Sequence, residues 1–289
     1  MEILPLSLVI LSAFIHAFWN FLFKKSSDSV IFIFWAKVFE VILYLPIIIL
    51  LLIIKGFNNK GIIYIISTGL IHYFYWLFLS LGYNSSDLTF VYPISRSSPL
   101  IITFLSYLLF KEKVTIFGFF GILLIILGIY FISIDSFSLM KFKIIFNKNN
   151  SGLLYALLTL ITVSIYSLID KIGAKYVNPI IYVYFFEVVS LMPFSIYVLT
   201  KKKKNDLIKI LNKEKISIFI TSISIILSYS LIIFVIKISK LSYIVSIREV
   251  SIVFGIILGT VFLKEKYKVV RITSSILIFL GILLISILG

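Results

Sequence analysis

The sequence predicts an all-α polytopic membrane protein, ten transmembrane helices in two inverted five-helix repeats. Three observations predict it. The 289 residues are 61% hydrophobic and 13% charged, with mean hydropathy +1.16, whereas a soluble globular chain is about half apolar and about a quarter charged. The apolar residues fall into ten long runs bounded by polar ones. The two halves of the chain also repeat one another.

The runs cover residues 3–23, 30–54, 61–82, 89–110, 116–134, 151–169, 179–199, 216–236, 244–263 and 269–288. Each is close to the ~20 residues that a helix needs to cross a bilayer. They are too long and unbroken for barrel strands, which alternate over about 10 residues. Helices therefore satisfy the backbone in lipid. What remains suffices for short connections, not for a separate catalytic or nucleic-acid-binding domain. The first run does not read as a cleaved signal, since it opens MEILP without a basic residue and ends in bulky FWNFLFKK. Residues 135–150 read as a linker, leaving repeats at 1–134 and 151–289. The basic stretch 200–215 (TKKKKNDLIKILNKEK) reads as a solvated loop, with a short amphipathic helix on the lipid surface as the alternative.

The repeat is specific. At an offset of 147, Phe39-Glu40-Val41, Pro46 and Lys24 fall on Phe186-Glu187-Val188, Pro193 and Lys171. At an offset of 153, Lys111-Glu112-Lys113, Thr68 and Gly128 fall on Lys264-Glu265-Lys266, Thr221 and Gly281. Five spans per half is an odd number, so the halves have opposite orientations in the membrane.

There is no cysteine, which excludes disulfides and thiolate chemistry and leaves the redox compartment open. The net charge of +15 lies in the loops and points to the anionic cytoplasmic leaflet, not to nucleic acid. No phosphate loop, zinc-protease motif, paired aspartates or nucleophile elbow is present. No enzyme activity, cofactor or metal is expected. The expected partners are a small-molecule solute, the lipid bilayer, a proton as coupling ion and a second copy of the chain in a homodimer.

Ten spans in two halves, each ending in a basic-acidic segment (FKEK at 110–113, LKEK at 263–266), resemble the drug/metabolite transporter superfamily, in its EamA-type branch. AFIHAFWNFLFKKS (13–26) resembles a subgroup with a His-Ala-x-Trp-Asn signature, and YPISRSSPL (92–100) resembles the family's fourth span. One departure is Ile252, which stands where the second half would match Pro99. The resemblance implies a solute cavity between the halves, lined by spans 1, 3, 4, 6, 8 and 9. It also implies alternating access by rocking, peripheral fifth and tenth spans, and hinges at FKEK and LKEK, whose charges read as solvated. It places the N-terminus inside. Loop lysines favour the opposite orientation, fifteen against eight, and the orientation stays open.

Ionisable groups inside a membrane are costly and usually face a cavity or a partner. His16 shares a helical face with Ala13, Trp19, Asn20 and Phe23. It reads as a solute ligand or proton relay, or as an interspan hydrogen bond. Trp19 and Asn20 align with Tyr166 and Ser167. Thr68, His72, Tyr75, Trp76 and Tyr83 form a polar-aromatic stripe, matched in part by Thr221, Ser228 and Tyr229. The stripe reads as a pocket wall, or for Tyr83 as an interfacial belt.

Arg96 and Arg248 lie at nearly equivalent positions inside spans 4 and 9, and the third arginine, Arg271, reads as snorkelling to the interface. A guanidinium grips carboxylate or phosphate. Arg96 is expected on one face with Tyr92, Thr103 and Tyr107. The structural alternative is a pair with Glu249 or another carboxylate. Glu249 is also read as a partner for a solute ammonium. Glu187 and Glu40 are candidate proton carriers, Glu40 having Lys37 one turn away as a neutralising partner. Pro46 and Pro193 are expected to kink their helices. Ser251, Gly255 and Gly259 read as a close-packing row. The expected function is a secondary transporter, an exporter in the plasma membrane, of a small polar or amphipathic metabolite such as an amino acid. A non-transporting membrane scaffold or assembly factor is the alternative.

Overall fold

The computed structural model describes residues 3–134, 151–262 and 269–288. Among the described residues there are twelve α-helices, one short 3-10 turn and no strand. The helices are α1 (Ile3–Lys25), α2 (Ser29–Lys55), α3 (Ile62–Ser85), α4 (Leu88–Ser95), α5 (Pro99–Phe110) and α6 (Ile116–Ile134). The second half holds α7 (Ser151–Gly173), α8 (Pro179–Lys201), α9 (Lys204–Ile238), α10 (Leu241–Arg248), α11 (Val250–Phe262) and α12 (Val269–Leu288). Among the described residues, seven stretches are long and apolar enough to cross a membrane, and shorter apolar helices lie at Ile101–Phe110, Ile116–Phe131 and Ile276–Ile285. The linker at 135–150, the LKEK segment and the side chain of Arg271 lie outside the described residues.

Polar residues at the run boundaries punctuate the helices. Asp28 caps α2 by accepting from the amides of Val30 and Ile31 at 3.0 and 3.3 Å. Gly56, at φ +67°, ends it. Asn178 caps α8, with Pro179 in the first turn. Both α2 and α8 run on through Pro46 and Pro193.

The two halves interlock. α1 packs on α9, α3 on α7, α2 on α8 and α6 on α12, each contact joining opposite repeats. A pair of lysine clips makes the repeat visible in three dimensions. The Lys24 ammonium donates to the carbonyls of Tyr83 and Ser86, both at 2.7 Å. Lys171 donates to Ile236 and Ser239 at 2.9 and 2.6 Å. Every partner is related by the sequence offsets. α6 and α12, the fifth and tenth spans, meet where Gly121 and Gly281 let the backbones touch, and a methyl group on either would strike the other's carbonyl.

Three expectations need correction. Spans 4 and 9 are not continuous helices. Span 4 breaks at residues 96–98 and span 9 at Glu249, the positions being equivalent at the offset of 153. Pro99 explains the first break; in the second, a tighter turn carries the Glu249 amide to the Ser246 carbonyl at 3.1 Å. The basic stretch 200–215 is neither a solvated loop nor a lipid-surface helix. From Lys204 it forms the first turns of α9, because Leu207 and Ile210 bury one face and the Leu207 carbonyl accepts from Trp35 Nε1 at 3.0 Å. FKEK is not simply solvated. Lys111 adopts a left-handed conformation (φ 56°), and Glu112 caps α10 by accepting from the amides of Leu241 and Ser242 at 2.9 and 3.2 Å. Its carboxylate also lies 3.5 Å from Lys171.

Candidate functional site

The polar faces of α1, α3, α7, α8, α9 and α10 converge at the centre of the bundle. His16 and Trp19 of α1, His72, Tyr75 and Trp76 of α3, Tyr166 of α7, Glu187 of α8, Ser228 and Tyr229 of α9 and Arg248 of α10 line one cavity. It is narrow, with room for about one water molecule. Next to it, Arg96, Tyr229, Arg248 and Glu249 line a second narrow space. The helix breaks at 96–98 and 249 bring both arginines here, as broken spans do where they line a cavity.

His16 lies between the two arginines. Arg96 Nη2 contacts His16 Nε2, and Arg248 Nη2 lies 3.2 Å from His16 Nδ1. A neutral imidazole has one acceptor nitrogen and one N–H, while a guanidinium only donates. Whichever tautomer His16 adopts, one of these contacts sets donor against donor. Arg96 Nη2 also lies 3.3 Å from the Tyr75 hydroxyl. The Arg96 guanidinium sits over the Tyr92 ring at 5.6 Å, and Arg248 over Tyr229 at 5.1 Å. Among the described residues, Arg248 Nε and Glu249 Oε2 are buried without a hydrogen-bond partner. The structural alternative, an ion pair of Arg248 or Arg96 with Glu249, is not among the ion pairs of the described residues. Thr103 and Tyr107 do not share a face with Arg96, since the break turns α5 away. They line a separate, apolar pocket between α5 and α6.

The other predicted residues fall into two further clusters. Asn20 donates to the His16 carbonyl and accepts from the Tyr83 hydroxyl, both at 2.8 Å. Tyr83 is thus buried and bonded, not part of an interfacial belt. Trp19 Nε1 has no partner among the described residues. Glu187 accepts from Trp76 Nε1 and Ser190 Oγ, both at 3.1 Å, and pairs with Lys37. The expected Lys37–Glu40 pair is therefore not formed. Lys37 reaches across the α2–α8 interface instead, and both Glu40 oxygens lack a partner among the described residues. His72 is sandwiched between Tyr166 and Phe186 at ring distances of 4.1 and 4.2 Å. Gly255 of the expected small-residue row lies against the Tyr92 ring.

Asp170 was not among the expected site residues. It is fully buried and accepts from Thr68 Oγ1, Tyr182 OH and Tyr229 OH at 2.7, 2.9 and 2.5 Å. Gly173 makes room for the Tyr182 ring to reach it. Its sequence signal was weak, because it sits at the edge of a run beside Lys171, where an acid reads as solvated.

The family model of the EamA-like transporter family matches residues 3–134 and again 150–287. No curated protein matches the chain. A crystal structure described only as that of a protein superposes with a TM-score of 0.67 at 14% identity, over 99% of this chain and 97% of its own. At that identity the likeness concerns the fold alone.

Proposed function

Because the chain belongs to the EamA-like transporter family, we propose that it is a secondary transporter of a small amphipathic metabolite with an anionic group, an amino acid or related zwitterion being the best fit. It works as an exporter in the plasma membrane, by rocking of the repeats 1–134 and 151–289 about the linker 135–150.

One observation carries the solute class: two buried guanidiniums converge on a single imidazole that can accept only one of them. The site has more donors than acceptors, with Arg248 Nε unpartnered among the described residues. A carboxylate or phosphate supplies the missing acceptors. Trp19, Tyr75, Trp76 and Tyr166 offer apolar walls for the rest of the solute. Glu249, with an unpartnered oxygen among the described residues, suits an ammonium group. Glu187, which lines the cavity, and its repeat mate Glu40 are the proton-coupling pair. Both halves of the site lie within one chain, so a homodimer is not needed for it.

The small volume of the cavity favours the scaffold reading. Against it stands the donor excess, which a permanently packed core has no reason to retain. Thermal stabilisation of the purified protein by acidic solutes tests the assignment. A saturable shift, lost in Arg96→Gln, is the expected result. Equal shifts in wild type and Arg96→Gln refute the role of Arg96. Counterflow in vesicles of known sidedness tests export.

A further inference from the structure

Glu40 of α2 and Glu187 of α8 are equivalent residues of the two repeats, on helices that pack together. They are 0% and 2% exposed. Lys37, also 0% exposed, sits one turn before Glu40 yet bonds Glu187 across the interface. It has no repeat counterpart, since position 184 is tyrosine. The charged and titratable groups that face Glu40 are Lys37 and Tyr44 on its own helix, and Glu187 and Tyr184 on α8. Both tyrosines donate elsewhere, Tyr44 to the Ile223 carbonyl of α9 at 2.9 Å and Tyr184 to the Val41 carbonyl at 3.2 Å. His72 of α3 faces the Glu187 side.

An ionised carboxylate with neither oxygen bonded is among the costliest groups to bury. One ammonium neutralises one carboxylate. The trio therefore holds a Lys37–Glu187 ion pair and a Glu40 that keeps its proton.

We propose that Lys37 is a shared counter-ion that exchanges between Glu187 and Glu40, with one proton moving the opposite way. This deepens the proposed proton coupling and rests on it. In the arrangement present here the ammonium is on Glu187 and the proton on Glu40. In the other, the ammonium swings to Glu40 one turn along its own helix, within i,i+3 reach. Glu40 then gives up its proton, and the Glu187 carboxylate takes one. Only O–H bonds break and form, Lys37 stays protonated, and the trio stays neutral overall. Of the two carboxyls, Glu187 lines the central cavity, so the proton meets the solute site in the second arrangement.

Infrared spectroscopy of the full chain in lipid nanodiscs, without solute, tests this. Wild-type-minus-variant spectra isolate the C=O band of one protonated carboxyl and cancel every band that wild type and variant share. Glu40→Gln, close in shape to a protonated glutamate, loses one band. Glu187→Gln loses the same band, because Lys37 moves to Glu40 and ionises it. Lys37→Met gains a second band, both carboxyls now being protonated. A band that survives Glu40→Gln overturns the proton's place, and one that survives Glu187→Gln overturns the exchange. Absence of a second band in Lys37→Met overturns the shared counter-ion. Solute plays no part in these spectra. Bands as expected alongside failed stabilisation by acidic solutes therefore refute the solute class and leave the exchange standing.

Discussion

Truncating Asp170 to alanine removes the acceptor of three buried hydroxyls in a single step. Two scales bound the loss. A side-chain hydrogen bond inside a membrane protein averages about 0.6 kcal/mol and reaches about 1.7. A buried donor left without a partner costs about 1–3 kcal/mol. His72 does not rescue Thr68, because its Nδ1 faces the Thr68 carbonyl at 2.9 Å, to which it donates, and so cannot accept from the hydroxyl. Tyr182 and Tyr229 have no second acceptor among the described hydrogen bonds, and both are walled in by aromatic rings. Three orphaned donors at about 1–3 kcal/mol each sum to about 3–9 kcal/mol. Asp170→Asn keeps an acceptor for Thr68 and Tyr182 but turns N–H toward Tyr229, for a loss of about 1–2 kcal/mol. Equilibrium unfolding in mixed micelles of rising dodecyl sulfate fraction reads both. A loss below about 1 kcal/mol for alanine refutes the reasoning, since the hydroxyls would then have found other partners. So does asparagine proving as damaging as alanine.

Three further outcomes are expected. Gly281→Val drives its side chain into the Gly121 carbonyl and destabilises the α6–α12 contact by about 2–3 kcal/mol, read in the same micelle titration. Lys202→Ala removes the 2.5 Å pair with Asp28, whose side chains are a quarter exposed. It costs at most about 1 kcal/mol, whereas Leu207→Ala in the adjoining turn of α9 costs about 2–4; the reverse order in that titration refutes the packing described for α9. Glu112→Gln weakens the cap on α10 by about 1 kcal/mol and speeds thiol labelling of Ser228→Cys about 5-fold. The chain has no other cysteine to confuse the readout, and an unchanged rate refutes the link between this cap and access to position 228.

The spans were legible because lipid imposes one rule, apolar length, that composition satisfies directly. The inverted repeat was legible because a glutamate and a proline recur at one spacing inside apolar runs. Charge read alone misled. It made a loop of 204–215, where the spacing of Leu207 and Ile210 wins over four flanking lysines and arranges them on a helix. Sequence proximity misled in the same way at Lys37. One turn from Glu40, it nevertheless bonds Glu187, because the α2–α8 interface brings a distant carboxylate nearer than the local one. Of the two helix breaks, Pro99 announced one. The other has no proline, and only its equivalence to the first could have suggested it. The arginines, histidines and aromatic stripe were legible as intramembrane polar groups, and most of them do line one cavity. Asp170 escaped because the helix runs past the end of the apolar run, to Gly173.

The symmetric and asymmetric parts of the molecule divide the work. The lysine clips, the α6–α12 contact and the breaks at 96–98 and 249 occur at equivalent positions of both repeats. In an inverted repeat, opening to one side and opening to the other exchange the roles of the two halves. Contacts of equal kind in both halves bias neither state. Only groups without a counterpart can set the preference. Among those groups are His16, His72, Lys37 and Asp170, whose equivalents are Val163, Ile225, Tyr184 and Phe23. All four are buried and lie at or beside the central cavity. A ligand shifts a two-state equilibrium only by its differential affinity for the two states. In this protein such unmatched side chains are the means of creating that difference.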